Sequence, residues 1–219
     1  MLITTVASKV EFLKTYCDIV DFYGEHVEPD EIRFDGNRLN IGGLVLEVEN
    51  GRYAFAQALS CFDEPTVFVH YNSSEVNYGK FCTIGGNGFG YVRHRDKILR
   101  IPHVGKVVIG NGVVLHNHVN IDRGVTGATV IGDDCKIDSF CHIAHNVKLG
   151  KGNTLAAHTI IEGSCVVGDN NTFGTSVIVL RKVRIGNNNL FGSGCVVTKD
   201  VEDNGVYVGN PARLIKYQE

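Results

Sequence analysis

Tryptophan is absent from this chain of 219 residues, methionine occurs once and proline four times. Proline at about 2%, with no strict glycine at every third position, excludes a collagen-like or proline-rich chain. No apolar run approaches the ~18 residues that a membrane span requires. The opening MLITTVASKVEFLKTYCDIV has neither the basic segment nor the continuous apolar stretch of a secretory signal, so a cytoplasmic protein is expected. Positive charge is in no excess either: 21 Lys and Arg against 24 Asp and Glu give a formal net charge of −3, which offers no field for gripping nucleic acid. The seven cysteines are odd in number and form no CxxC pair, and they read as reduced thiols rather than a disulfide framework or a zinc site. What the chain has in excess is glycine, 26 residues or about 12% against ~7% in an average protein, within a hydrophobic content of 43% that argues against disorder.

A repeat accounts for the glycine. From Ile131 to Val197 an aliphatic or aromatic residue returns at every sixth position without a break. Upstream the phase holds at Ile109, Leu115 and Ile121, then slips by four residues between Gly124 and Thr129; Tyr78 and Ile84 form an earlier pair. Six residues fit neither a helix of period 3.6 nor a long strand of period two, but they do fit a short strand plus a corner, three of which close a triangular coil of 18 residues. Written in lines of 18, Gly132, Gly150, Gly168 and Gly186 form one column and Asn153, Asn171 and Asn189 another, both expected at tight corners of positive φ. The fifth place of each hexad is small, and Cys82, Cys135, Cys141, Cys165 and Cys195 fall there, which makes them inward packing residues.

This pattern resembles the hexapeptide-repeat transferases, and the resemblance implies an all-β fold, a left-handed parallel β-helix, with a small N-terminal α/β cap. Residues 1–66 would form the cap, 67–201 the β-helix with a loop excursion over 86–107, and 202–219 a C-terminal tail. At ~4.8 Å per coil, six or seven coils make a prism about 30 Å long. Within the cap, Val6 to Tyr23 has mixed helix and strand character, Leu39 to Val48 reads as a hairpin around Gly42 and Gly43, and Arg52 to Phe62 as a short helix.

Several motifs narrow the resemblance: the run Gly88 to Tyr91, Ile101-Pro102, Ile121-Asp122-Arg123-Gly124 before the slip, and Ile143-Ala144-His145-Asn146-Val147. Together they resemble the UDP-3-O-(3-hydroxyacyl)glucosamine N-acyltransferases of lipid A synthesis. That family implies His145 as general base, and imidazole, with a pKa near working pH, suits an amine that must lose a proton as it attacks a thioester. It also implies Asp138, seven residues earlier, as the group orienting the base, and Phe89, Tyr91, His142 and Asn146 as substrate contacts. Gly163 stands 18 residues beyond His145, so its backbone N–H is a candidate oxyanion donor. Lys182 occupies the place of a second histidine of the relatives, two coils above the base. The ending GVYVGNPARLIKYQE resembles sugar acetyltransferases, which implies coenzyme A contacts by Asn210, Pro211, Ala212, Arg213 and Lys216.

The favoured reading is therefore an acyltransferase moving an acetyl or short acyl group from acyl-CoA to the amino group of a nucleotide-linked sugar, as a homotrimer and with no tightly bound cofactor. Transfer of a long hydroxyacyl chain from acyl carrier protein is the alternative. A γ-carbonic-anhydrase-like metal lyase, drawing on His116, His118 and the stretch His142 to His145, and a non-catalytic scaffold are the remaining classes; the histidine spacing does not match the lyase pattern, and no metal is expected.

Overall fold

A computed structural model describes residues 29–60, 69–71 and 76–218. The chain divides into two units, one of residues 1–65 and 89–104, the other of 66–88 and 105–219. The stretch from Val6 to Tyr23 lies outside the described residues.

In the first unit, strands Ile32–Asp35, Arg38–Ile41 and Leu44–Glu47 form an antiparallel sheet. Gly42 and Gly43, at φ of 55° and 90°, make the two-residue turn of the expected hairpin, where both central positions need positive φ. The helix runs Gly51–Leu59, and the Asn50 side chain caps it by accepting from the Tyr53 N–H at 3.0 Å. Its buried face, Ala54, Phe55, Ala58 and Leu59, provides the apolar side of the unit. Most of the excursion forms a second hairpin, Tyr91–His94 with Lys97–Arg100, and belongs to this unit.

The second unit is the left-handed parallel β-helix. Face one carries Val69–Tyr71, Lys106–Ile109, Ala128–Ile131, Lys148–Leu149, Val166–Val167 and Arg184–Ile185. Face two carries Asn77–Tyr78, Val114–Leu115, Lys136–Ile137, Thr154–Leu155, Thr172–Phe173, Leu190–Phe191 and Gly205–Val208, with Arg213–Tyr217 added antiparallel. Face three carries Thr83–Gly86, Asn120–Asp122, His142–Ile143, Ile160–Ile161, Ile178–Val179 and Val196–Val197. From Ala128 to Val197 neighbours on one face are eighteen residues apart, as His142 with Ile160 and Ile160 with Ile178. The slip is visible as Asn120 pairing with His142, twenty-two apart. The hexad residues fill the interior, and the five described cysteines are free thiols, four of them buried. Burial pushes the thiols of Cys135, Cys141 and Cys165 up to about 11, so they stay protonated and act as packing groups.

Both columns are present, but positive φ is not what either one serves. A Cβ on Gly132 would lie 2.6 Å from the carbonyl carbon of Gly150, one on Gly150 2.6 Å from the oxygen of Gly168, and one on Gly168 2.7 Å from that of Gly186. The glycines let successive coils approach at this corner. The asparagines form a buried ladder: Asn153 Oδ1 accepts from the Asn171 N–H at 2.9 Å, Asn171 Oδ1 from Asn189 at 2.8 Å, and Asn189 Oδ1 from Gly205 at 2.8 Å. The left-handed residue is the fourth of each hexad, and from Asp134 to Gly194 every sixth residue has φ between 55° and 71°. Most are not glycine, at a cost of about 1–2 kcal/mol each, and each coil offsets it with a backbone bond: Ser164 N–H to His145 O at 2.9 Å, Asn170 to Lys151 at 2.9 Å, Lys182 to Gly163 at 3.1 Å.

The asparagine ladder yields a stability prediction. Asn171→Leu removes the acceptor of the Asn189 N–H inside the prism, and an orphaned buried donor costs about 1–3 kcal/mol. The denaturation midpoint is expected to fall accordingly. An unchanged midpoint would mean that the ladder contributes nothing.

Candidate active site

His145 stands at the corner where the chain leaves face three for face one, half-buried. Its Nδ1 is 3.1 Å from Asn146 Oδ1. The opposite edge of the ring lies over Gly163, one coil above: a Cβ there would come 2.6 Å from Nε2 and 2.7 Å from Cε1. Among the described residues no acceptor takes the Gly163 N–H, while its carbonyl accepts from Lys182. Base, backbone donor and Lys182 thus lie along one corner, with Arg181 and Lys182 exposed on the coil above Gly163. A reacting carbonyl placed beside Gly163 would meet both an imidazole nitrogen and an N–H donor, the two groups that acyl transfer requires.

Asp138 is not brought to His145. It lies at the preceding corner, between faces two and three, where its Oδ1 is 3.1 Å from His116 Nδ1 and accepts from the Ser139 N–H at 2.7 Å. The buried carboxylate that feels the charge of the base is Asp122, 7% exposed, which the sequence motif contains but to which it gave no role. Asn120 Nδ2 donates to Asp122 Oδ1 at 2.9 Å and to His142 Nδ1 at 2.8 Å, and His142 Nε2 is 3.5 Å from Asp122 Oδ2. Burial raises the Asp122 carboxyl above its ordinary range, opposed by His142, the Asn120 hydrogen bond and His145. The signal was present in the sequence, since a period of 18 plus a slip of four sets Asn120 beside His142 on one face.

The remaining candidates are dispersed. His116 pairs with Asp138 and His118 stacks between Phe81 and Phe140, at 5.1 and 4.8 Å, so within the chain neither of them joins His142. Among the described residues no three His, Cys, Asp or Glu side chains converge in a metal-binding arrangement. Phe89 and Tyr91 belong to the first unit, their rings 5.0 Å apart and Phe89 91% exposed. The segment from Gly209 to Ala212, with Asn210 and Pro211, caps face three above Val196, which donates to Gly209 O at 3.0 Å and accepts from the Ala212 N–H at 2.8 Å. Arg213 and Lys216 lie on the antiparallel strand of face two. Four coils separate this segment from His142, roughly 19 Å along the axis at ~4.8 Å per coil.

Residues 128–163, which include His145 and Gly163, match the family described as bacterial transferase hexapeptide (six repeats). The UDP-3-O-acylglucosamine N-acyltransferase of Dechloromonas aromatica is 45% identical over 85 residues, 39% of this chain and 24% of the relative. That of Caulobacter vibrioides is 52% identical over 135 residues, 62% of this chain and 40% of the relative. The chain therefore matches about a quarter to two fifths of the length of these relatives. Among solved structures, the UDP-N-acetylglucosamine O-acyltransferase of Moraxella catarrhalis is similar in fold, with a TM-score of 0.60 at 23% identity over 68% of this chain and 56% of that one. The chain is thus similar to hexapeptide-repeat acyltransferases both in sequence, through the stretch that carries His145, and in fold.

Proposed function

We propose that the protein is an N-acyltransferase that moves an acyl group from a thioester to the amino group of a nucleotide-linked sugar. The observation that carries this reading is the seating of the His145 ring over Gly163, within the stretch that matches the bacterial transferase hexapeptide family. The neutral amine attacks the thioester carbonyl while Nε2 of His145 takes its proton. The Gly163 N–H donates to the oxyanion of the tetrahedral intermediate. Collapse expels the thiolate, His145 returns the proton to sulfur, and amide and thiol are the products. Asp122 and His142, paired with each other on face three, are the groups proposed to hold the amino sugar. Lys182 and Arg181 are placed to meet an anionic part of the donor as it runs up the corner.

For the donor, the relatives favour the long-chain alternative over acetyl-CoA. The proposal therefore takes a hydroxyacyl chain on acyl carrier protein as donor and a UDP-3-O-acylglucosamine as acceptor. The purified protein is to be given both donor classes with a panel of nucleotide amino sugars, and product followed by mass spectrometry. Transfer from the carrier protein is expected. Transfer from acetyl-CoA alone would return the reading to the sugar acetyltransferases suggested by the C-terminal segment, and no transfer at all would sink it. A homotrimer, also implied by resemblance, would have an exposed aromatic corner to use, where Phe81 and Phe140 are 75% and 52% exposed in a stack with His118 and His158. Light scattering would give the mass directly.

A further inference from the structure

The four-residue slip does something specific at the base. At the left-handed position of the repeat, the backbone N–H donates to the coil below, as His118 to Lys80, Phe140 to Asn117 and His158 to Ser139. Asn146 departs from this. The loop that follows Arg123 removes the usual carbonyl, and the Asn146 N–H donates instead to Thr129 Oγ1 at 2.8 Å. Its side chain is held by the same loop: Nδ2 donates to Thr126 O at 2.7 Å, and Oδ1 accepts from the Val125 N–H at 2.9 Å. Gly124 is needed there, since a Cβ on it would lie 2.6 Å from Thr126 O and 3.0 Å from Asn146 Nδ2.

These contacts fix which way the amide faces. Turned over, it would set an NH₂ against the Val125 N–H and an oxygen against the Thr126 carbonyl, two repulsive pairs. The oxygen therefore faces His145, and an oxygen 3.1 Å from Nδ1 requires that Nδ1 carry the hydrogen. The lone pair is then on Nε2, the nitrogen over Gly163.

We infer that Asn146 is the positioning residue that sets the tautomer of His145, and that the loop Gly124 to Thr129 is the clamp holding Asn146 in that orientation. The role given to Asp138 by resemblance is thus filled, within the chain, by a neutral amide. The inference deepens the acyl-transfer reading and rests on it only for its kinetic part. The nearest other titratable groups, Asp122 and His142, pair with each other at 3.5 Å, while the Nδ1 edge of His145 faces Asn146 Oδ1.

The test is the ¹⁵N spectrum of the imidazoles in the full chain, with His145 assigned by its loss in His145→Gln. The wild type is expected to show the Nδ1–H form at His145, and Asn146→Ala a mixture of forms; a wild-type Nε2–H form, or a pure Nδ1–H form in Asn146→Ala, would overturn the inference. In the transfer assay Asn146→Ala is expected to lose roughly 10²-fold in kcat with KM little changed, as a base held off its line does. Asn146→Asp keeps the acceptor and adds a charge that stabilises the imidazolium. It should retain activity at high pH with its acidic limb moved upward, because the base is competent only when neutral. Equal losses in both variants at every pH, with the tautomer unchanged, would make Asn146 merely structural. An Nδ1–H form in a protein that transfers no acyl group would uphold the tautomer and overturn the function instead.

Discussion

His145→Gln is expected to lower kcat for acyl transfer by roughly 10²- to 10⁴-fold, the range that removal of a general base produces. Glutamine cannot take the proton that leaves the attacking amine, so what is lost is stabilisation of the transition state rather than binding, and KM should move little. The side chain is half-buried at a corner and the hexad residues below it are untouched, so the thermal midpoint should stay close to wild type. Single-turnover measurements with saturating donor would separate the chemical step from product release. A variant with the wild-type single-turnover rate would remove His145 from the mechanism and leave the prism as a scaffold.

The six-residue period was legible because an interior of fixed width admits one large side chain per strand and one small one per corner, and that alternation is written in residue type. Burial of Ile131, Ile137 and Ile143 at 0–1%, with Cys135 and Cys141 between them, follows the same rule. The reasons behind two columns were less legible. Glycine at 132, 150, 168 and 186 and asparagine at 153, 171 and 189 look like turn residues, yet one column is set by contact between coils and the other by a hydrogen-bond ladder. The true left-handed column escapes a reading by residue type because Phe140, His158 and Lys182 all occupy it, held by backbone bonds that any residue can make. At the site, the position of His145 and the stacking of Gly163 followed from the period and the motif. The partner of Nδ1 did not, because it depends on how a loop outside the repeat folds back on Asn146.

Gly163→Ala is expected to abolish most of the activity, at least roughly 10²-fold, with little loss of stability. The glycine does not have positive φ, so the backbone accepts alanine; the added methyl meets instead the His145 ring, 2.6 Å from Nε2, 2.7 Å from Cε1 and 3.2 Å from Cδ2. A half-buried imidazole at a corner can swing aside at small cost to folding, but in doing so it leaves the Asn146 oxygen and the place of the amine, while the methyl shields the N–H proposed for the oxyanion. Gly150→Ala supplies the contrast, because its methyl would meet the backbone oxygen of Gly168 at 2.6 Å, which cannot swing away; there the denaturation midpoint should fall instead. The two substitutions are chemically identical and differ only in what the methyl strikes. The losses at 145 and 163 should also fail to add: once His145→Ala has removed the ring, Gly163→Ala should cost little further activity, because the two residues act as one unit. A full additional loss in the double variant would mean that Gly163 contributes through its N–H independently of where the imidazole sits.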